Sequence, residues 1–118
     1  NLLKSQVGVS LPVEGMKYWV RGVAAPGMPI QQVKLDYYGR PEVLQQAGWV
    51  IEYPEWEGNG TNALPEKIQL KRAAENTRVK VVAQNWQTES IFAYYGATRG
   101  RLSLIANAVY LFGLCRSD

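Results

Sequence analysis

The chain has 118 residues, 47% of them hydrophobic and 19% charged, and its 13 Lys and Arg exceed its 10 Asp and Glu by a formal net charge of +3. This is the size and make-up of one folded domain, which argues against a two-domain enzyme and against wholesale disorder. The absence of histidine and the single cysteine exclude a His-based triad, a Cys/His zinc site and an intrachain disulfide within these residues.

In chain order, Asn1–Val7 reads as the last turns of a helix, with Leu2, Leu3 and Val7 on one side and Gly8 as its cap. A second, amphipathic helix is expected from about Pro12 to Gly22. Ser10 and Pro12 are its start signals, Glu14 lies in its first turn, and Lys17 and Arg21 come toward its end. Val13, Met16, Val20 and Val23 recur at helical spacing beside Trp19, so one side should be buried. The run Ala24-Ala25-Pro26-Gly27-Met28-Pro29 stops it.

From Ile30 to Trp86 the period changes to two. Val33, Leu35 and Tyr37 alternate with polar residues, and Tyr38-Gly39-Arg40-Pro41 turns the chain. Val43–Gln46 follows, then Trp49, Ile51 and Tyr53 alternate outward and inward with their neighbours. A polar loop through Glu57 to Asn62 leads to a run holding Ile68 and Leu70, and a turn near Glu75-Asn76 leads to Val79, Val81 and Ala83. The pattern predicts an antiparallel meander of about five strands with one apolar and one wet face.

Residues 87–118 differ in character: they contain no Lys, Pro or Trp. Leu102 to Cys115 is an uncharged run, shorter than the roughly 20 residues that a membrane-spanning helix needs. A buried helix, an interfacial helix, a segment that does not dock, and an element replacing missing strands are all compatible with it.

The meander can bury its apolar face in two ways. The helix packs flush on the sheet as an ordinary core, or the sheet curls into part of a barrel with the helix as a lid over a cavity. Periodicity demands the same inward residues in both cases. The four Trp suit either a core or a lipid surface.

Four ordered blocks resemble one family. Tyr18-Trp19-Val20-Arg21-Gly22-Val23-Ala24-Ala25-Pro26-Gly27 is similar to the lid-helix exit of the LolB outer-membrane lipoprotein receptors. Gly39-Arg40 with Gln46-Ala47-Gly48-Trp49-Val50-Ile51-Glu52-Tyr53, then Leu64-Pro65-Glu66-Lys67-Ile68-Gln69-Leu70, then Val79-Lys80-Val81-Val82 with Trp86 follow in the same order. The resemblance covers about residues 2–86 and the C-terminal half of a family member, leaving 87–118 unmatched. It implies a mainly β, α+β fold: an antiparallel meander forming part of a half-open barrel, with a lid helix at about 12–22 and strands over about 30–86.

By the same resemblance the chain accepts lipoprotein acyl chains from the periplasmic carrier LolA and passes lipoproteins into the outer membrane, without covalent chemistry or a cofactor. It would act at the periplasmic face of the outer membrane, lipid-anchored when full length. The expected cavity residues, from periodicity and the family architecture together, are Met16, Trp19, Val20, Leu35, Trp49, Ile51, Tyr53, Ile68, Leu70, Val79 and Val81. Family members begin with a signal peptide and a lipid-modified cysteine. Asn1 is not such a start and Cys115 is not that anchor, so the chain reads as a fragment.

Other constellations have plainer explanations. Asp36, Glu52, Glu55, Glu57 and Glu66 fall on wet strand positions or loop flanks, so they read as solvated charges rather than an acid–base pair or a metal cluster. Ser103, Cys115 and Thr98 have no activating base, so no enzyme is expected. Lys71, Arg72, Arg78 and Lys80 form a basic patch, interrupted by Glu75, that reads as a solubilising face or as a contact for an acidic partner or anionic head groups, with no nucleic acid expected. The competing reading is a structural module that self-associates through its open strand edges.

Overall fold

The computed structural model describes residues 2–4, 10–58, 60, 63–72, 77–88, 90–95, 98–105 and 108–116, with side-chain surroundings for those between 15 and 94 and between 99 and 102. The described residues form β1 (Leu2–Lys4), β2 (Ser10–Pro12), α1 (Val13–Trp19), β3 (Ile30–Leu35), β4 (Pro41–Gln46), β5 (Trp49–Trp56), β6 (Pro65–Arg72), β7 (Thr77–Asn85), β8 (Ser90–Tyr95), β9 (Thr98–Ile105) and β10 (Ala108–Arg116). β1 and β2 pair antiparallel, and β3 to β10 form one antiparallel sheet in chain order.

The first segment departs from expectation. Leu2–Lys4 is a strand, not a helix end, because Leu2 pairs with Pro12 and Lys4 with Ser10. That cross-strand pairing supplies backbone partners that so short a segment could not find within itself as a helix.

The second helix matches its sequence signals. Val20 N–H still donates to Met16 O at 3.0 Å, continuing the helical pattern past Trp19. Gly22 N–H donates to Trp19 O and Val23 N–H to Tyr18 O, which is the hydrogen-bond pair of a Schellman cap. Gly22 occupies its left-handed position at φ +81°. Between β4 and β5, Ala47 and Gly48 both have positive φ, as a two-residue type I′ hairpin requires.

Over Trp49–Tyr53 of β5 and Val79–Ala83 of β7 every second residue is buried, as period-2 alternation dictates. β3 breaks the expectation: all six residues are exposed, Leu35 at 56%. It is an edge strand of the sheet, so among the described residues no strand lies on its outer flank.

The tail joins the same sheet. β8 pairs with β7, β9 with β8 and β10 with β9, so the uncharged run is divided between two strands rather than forming a helix.

The sheet is curled. Trp19 at the end of α1 hydrogen-bonds Gln46 on β4, and α1 also lies against β10. Six inter-strand spacings would hold β4 and β10 about 29 Å apart in a flat sheet, far beyond a helix about 10–12 Å across. The architecture is therefore a half-open β-barrel with one helix on its inner side.

Candidate functional site

The inner face is built from rows of residues that strand register brings side by side. Leu44, Ile51, Leu70 and Val79 are consecutive partners across β4 to β7. Ile68, Val81 and Ala93 form a second row, and Ala83, Ile91 and Leu102 a third. Met16, Trp19 and Val20 descend from α1 onto these rows, and all join one buried cluster with Trp49 and Tyr53. Trp19 is wholly buried and Met16 is 1% exposed, so in this structure the helix packs flush on the sheet.

Of the residues predicted for the apolar site, Met16, Trp19, Val20, Trp49, Ile51, Tyr53, Ile68, Leu70, Val79 and Val81 are brought together in that cluster. Leu35 is not among them. The alternation missed Leu44, Ile91, Ala93 and Leu102: Leu44 sits in a short strand with weak patterning, and the others lie in the tail whose strands were not anticipated. Gln46 was also missed as a core residue. Its signal was its place two residues after Leu44, on the same strand face.

Gln46 is fully buried and fully satisfied. Its Oε1 accepts from Trp19 Nε1–H at 2.8 Å and from Ala25 N–H at 2.9 Å. Its Nε2 donates to Ala25 O at 2.8 Å and to Met28 O at 3.0 Å. One amide thus uses two acceptor and two donor sites to hold both the helix indole and the chain leaving the helix. Tyr53 adds a second tie, its hydroxyl donating to Trp19 O at 2.8 Å. Burial pushes the Tyr53 hydroxyl well above the ordinary tyrosine value, so it remains a donor at neutral pH.

Space for the indole is set by glycine. A Cβ on Gly15 would lie 2.5 Å from the Trp19 ring, so only glycine lets the ring fold back over its own helix. At the helix exit, Trp56 lies against Gly22, where a Cβ would meet its ring at 2.5 Å, and its ring packs 5.3 Å from that of Tyr53.

Arg40 anchors the rim beside this exit. Its Nε donates to Asp36 Oδ2 at 2.8 Å, its Nη1 donates to Gly58 O at 3.1 Å, and its guanidinium lies over the rings of Trp56 and Tyr38 at 4.8 and 4.9 Å. Burial acts to raise the Asp36 carboxyl, but the backbone N–H and guanidinium of Arg40 and the N–H of Tyr38 outweigh it and hold it below the usual value. Arg21, Gly22, Tyr38, Arg40 and Trp56 border a surface cleft of about 360 Å³ there.

Among the described residues no group of three His, Cys, Asp or Glu could hold a metal ion, and no helix is long and apolar enough to cross a membrane. What the arrangement offers is a broad apolar inner face covered by a short helix on a few polar ties.

The model of the family described as "Outer membrane lipoprotein LolB" matches residues 1–86. The outer-membrane lipoprotein LolB of Nitrosococcus oceani is 41% identical over 87 residues, covering 74% of this chain and 42% of that protein. Its counterpart in Alkalilimnicola ehrlichii is 38% identical over 79 residues, covering 67% of this chain and 38% of that protein. That of Cupriavidus metallidurans is 38% identical over 86 residues, covering 69% and 42%. The chain spans about two-fifths of the length of these curated relatives.

Proposed function

The chain belongs to the LolB family, and on that premise we propose that its inner face binds lipoprotein acyl chains during lipoprotein insertion into the bacterial outer membrane. The observation carrying the proposal is the continuous apolar surface formed by the three cross-strand rows and covered by α1. An acyl chain needs a dry, apolar, adaptable surface, and each buried CH₂ contributes about 0.8 kcal/mol. A lipid tail entering between the helix and the rows keeps both covered, so its entry costs chiefly the polar ties of Gln46 and Tyr53. Flexible Met16 suits such re-packing.

In this reading Met16, Trp19 and Val20 are the mobile cover. Trp49, Ile51, Tyr53, Ile68, Leu70, Val79 and Val81 are the fixed wall, with Leu35 at the uncovered margin. No covalent step is involved. The donor would be the periplasmic carrier LolA, and the place of action the periplasmic face of the outer membrane, with a lipid anchor on the full-length protein.

Retention of a fluorescent fatty acid or a triacylated peptide tests the proposal. Trp19→Ala is expected to weaken retention more than it weakens folding. A loss of about 3–5 kcal/mol of stability with retention per folded molecule unchanged would assign Trp19 to the core alone. Absence of retention even when the remaining part of a family member is supplied would sink the lipid reading.

A second reading has its own observation. The edge strand β3 exposes Ile30 at 52% and Val33 at 46% beside Leu35. Such an edge is a template for pairing with a second copy. Sedimentation decides it: a strictly monomeric, folded chain would remove self-association through β3.

A further inference from the structure

The outward face of β6 to β9 carries a chemistry that the inner face does not use. Register aligns Glu52, Gln69, Lys80, Tyr94 and Arg99 in one row, with Lys71 and Arg78 beside it and Lys67, Val82, Phe92 and Arg101 on the other flank. Lys71 and Lys67 are paired, to Glu52 and Glu55 at 2.9 Å each. Arg78, Lys80, Arg99 and Arg101 are exposed, and among the described residues no carboxylate pairs with them. β7, β8 and β9 contain no Asp or Glu.

A shallow depression of about 280 Å³ opens in this face, with Gln69, Lys71, Arg78, Lys80 and Tyr94 on its border. Three cations, an amide and a phenol around one hollow match a phosphate group, which takes charge from Lys and Arg and hydrogen bonds from neutral donors. We propose that this outward face docks on an anionic phospholipid surface, seating a lipid phosphate in the depression. Two features favour a bilayer over a nucleic acid. Lys80 lies 5.4 Å over the Tyr94 ring and Arg99 4.9 Å over the Phe92 ring, so each ring already has a cation over one face that a stacking base would need. The cations also spread across adjacent strands about 5 Å apart, as a plane of head groups requires, rather than along one groove.

The proposal is independent of acyl-chain binding, which concerns the opposite face of the sheet. The full chain is sedimented with vesicles of phosphatidylcholine alone and of phosphatidylcholine mixed with phosphatidylglycerol. Preferential binding to the mixed vesicles, falling as salt rises, is expected. Each cation near an anionic surface contributes about 1 kcal/mol, so Arg78→Gln should lose about fivefold and the double variant with Lys80→Gln about 25-fold. Lys34→Gln, on β3, should change binding by less than about twofold.

Equal binding to both vesicle types, salt-independent binding by the unaltered chain, or an equal loss in Lys34→Gln would overturn the assignment. Displacement by inorganic phosphate at matched phosphate concentration would make a free anion the ligand. Tighter binding of a single-stranded oligonucleotide or of an acidic peptide would reject the membrane as partner. Failure of fatty-acid retention with this binding intact would strike only the acyl-chain proposal, and the reverse result only this one.

Discussion

Gln46 shows why a polar residue can sit at the centre of an apolar face. A buried primary amide costs little when all of its partners are present, and here Trp19, Ala25 and Met28 supply them. Gln46→Leu would strand the indole N–H and three backbone groups at once. Each unpartnered buried group costs about 1–3 kcal/mol, so a loss of at least about 3 kcal/mol is expected in urea unfolding. Gln45→Leu, whose amide donates to Gln32 at an exposed site, should stay within about 0.5 kcal/mol.

Tyr53 makes a pH-dependent contribution whose sign is fixed. Burial raises its folded value above the unfolded 10.0, so the folded state holds the proton that the unfolded state loses. The contribution is complete below pH 10 and declines above it by about 1.4 kcal/mol per pH unit until the folded hydroxyl ionises. Tyr53→Phe should flatten that alkaline decline. It should also remove the bond to Trp19 O, lowering stability at neutral pH by about 1 kcal/mol. Unfolding curves of both proteins at successive pH values check this, and parallel declines would contradict it.

At the scale of elements, α1 is too short to hold itself together and depends on what lies around it. Its start and stop signals were legible in the chain: Pro12 before it, Gly22 after it, and Pro26 beyond. Its cap also does tertiary duty, because Gly22 must accept both a left-handed backbone and the Trp56 ring. Gly27 has nearly the same φ, +80°, but nothing within 4 Å of an added Cβ. Gly27→Ala should therefore cost about 1 kcal/mol from backbone strain alone, and Gly22→Ala more than about 2 kcal/mol. Thermal melts of the two variants separate strain from crowding.

β3 and the tail were less legible, for opposite reasons. Val33 and Leu35 alternate like residues of a buried strand, yet alternation reports only which residues share a face, not whether anything covers it. The run Leu102 to Cys115 has no alternation of charge, so a strand pair resembles a helix there.

Across the whole molecule, the sheet continues past the family match. Residues 1–86 carry the LolB relationship, while β8 and β9 bring Ile91, Ala93 and Leu102 to the same buried cluster. Ending the chain after Trp86 should therefore uncover the β7 edge and the β7 side of the cluster. Weaker, less cooperative urea unfolding and increased binding of a hydrophobic dye are expected. An unchanged unfolding transition would show that β8 to β10 contribute nothing to the core.

What the sequence by itself determined was periodicity and relationship. Period two along Trp49–Tyr53 and Val79–Ala83 decided which side chains point inward, because successive residues in a strand must face opposite ways. The four ordered blocks identified the family. Only the tertiary structure decided which apolar faces are covered, which partners Gln46 finds inside, and that Arg99 and Arg101 join Lys71, Arg78 and Lys80 on one outward patch. Those facts depend on strand register and on the curl of the sheet, which join residues far apart in the chain, and no local window of sequence contains that information.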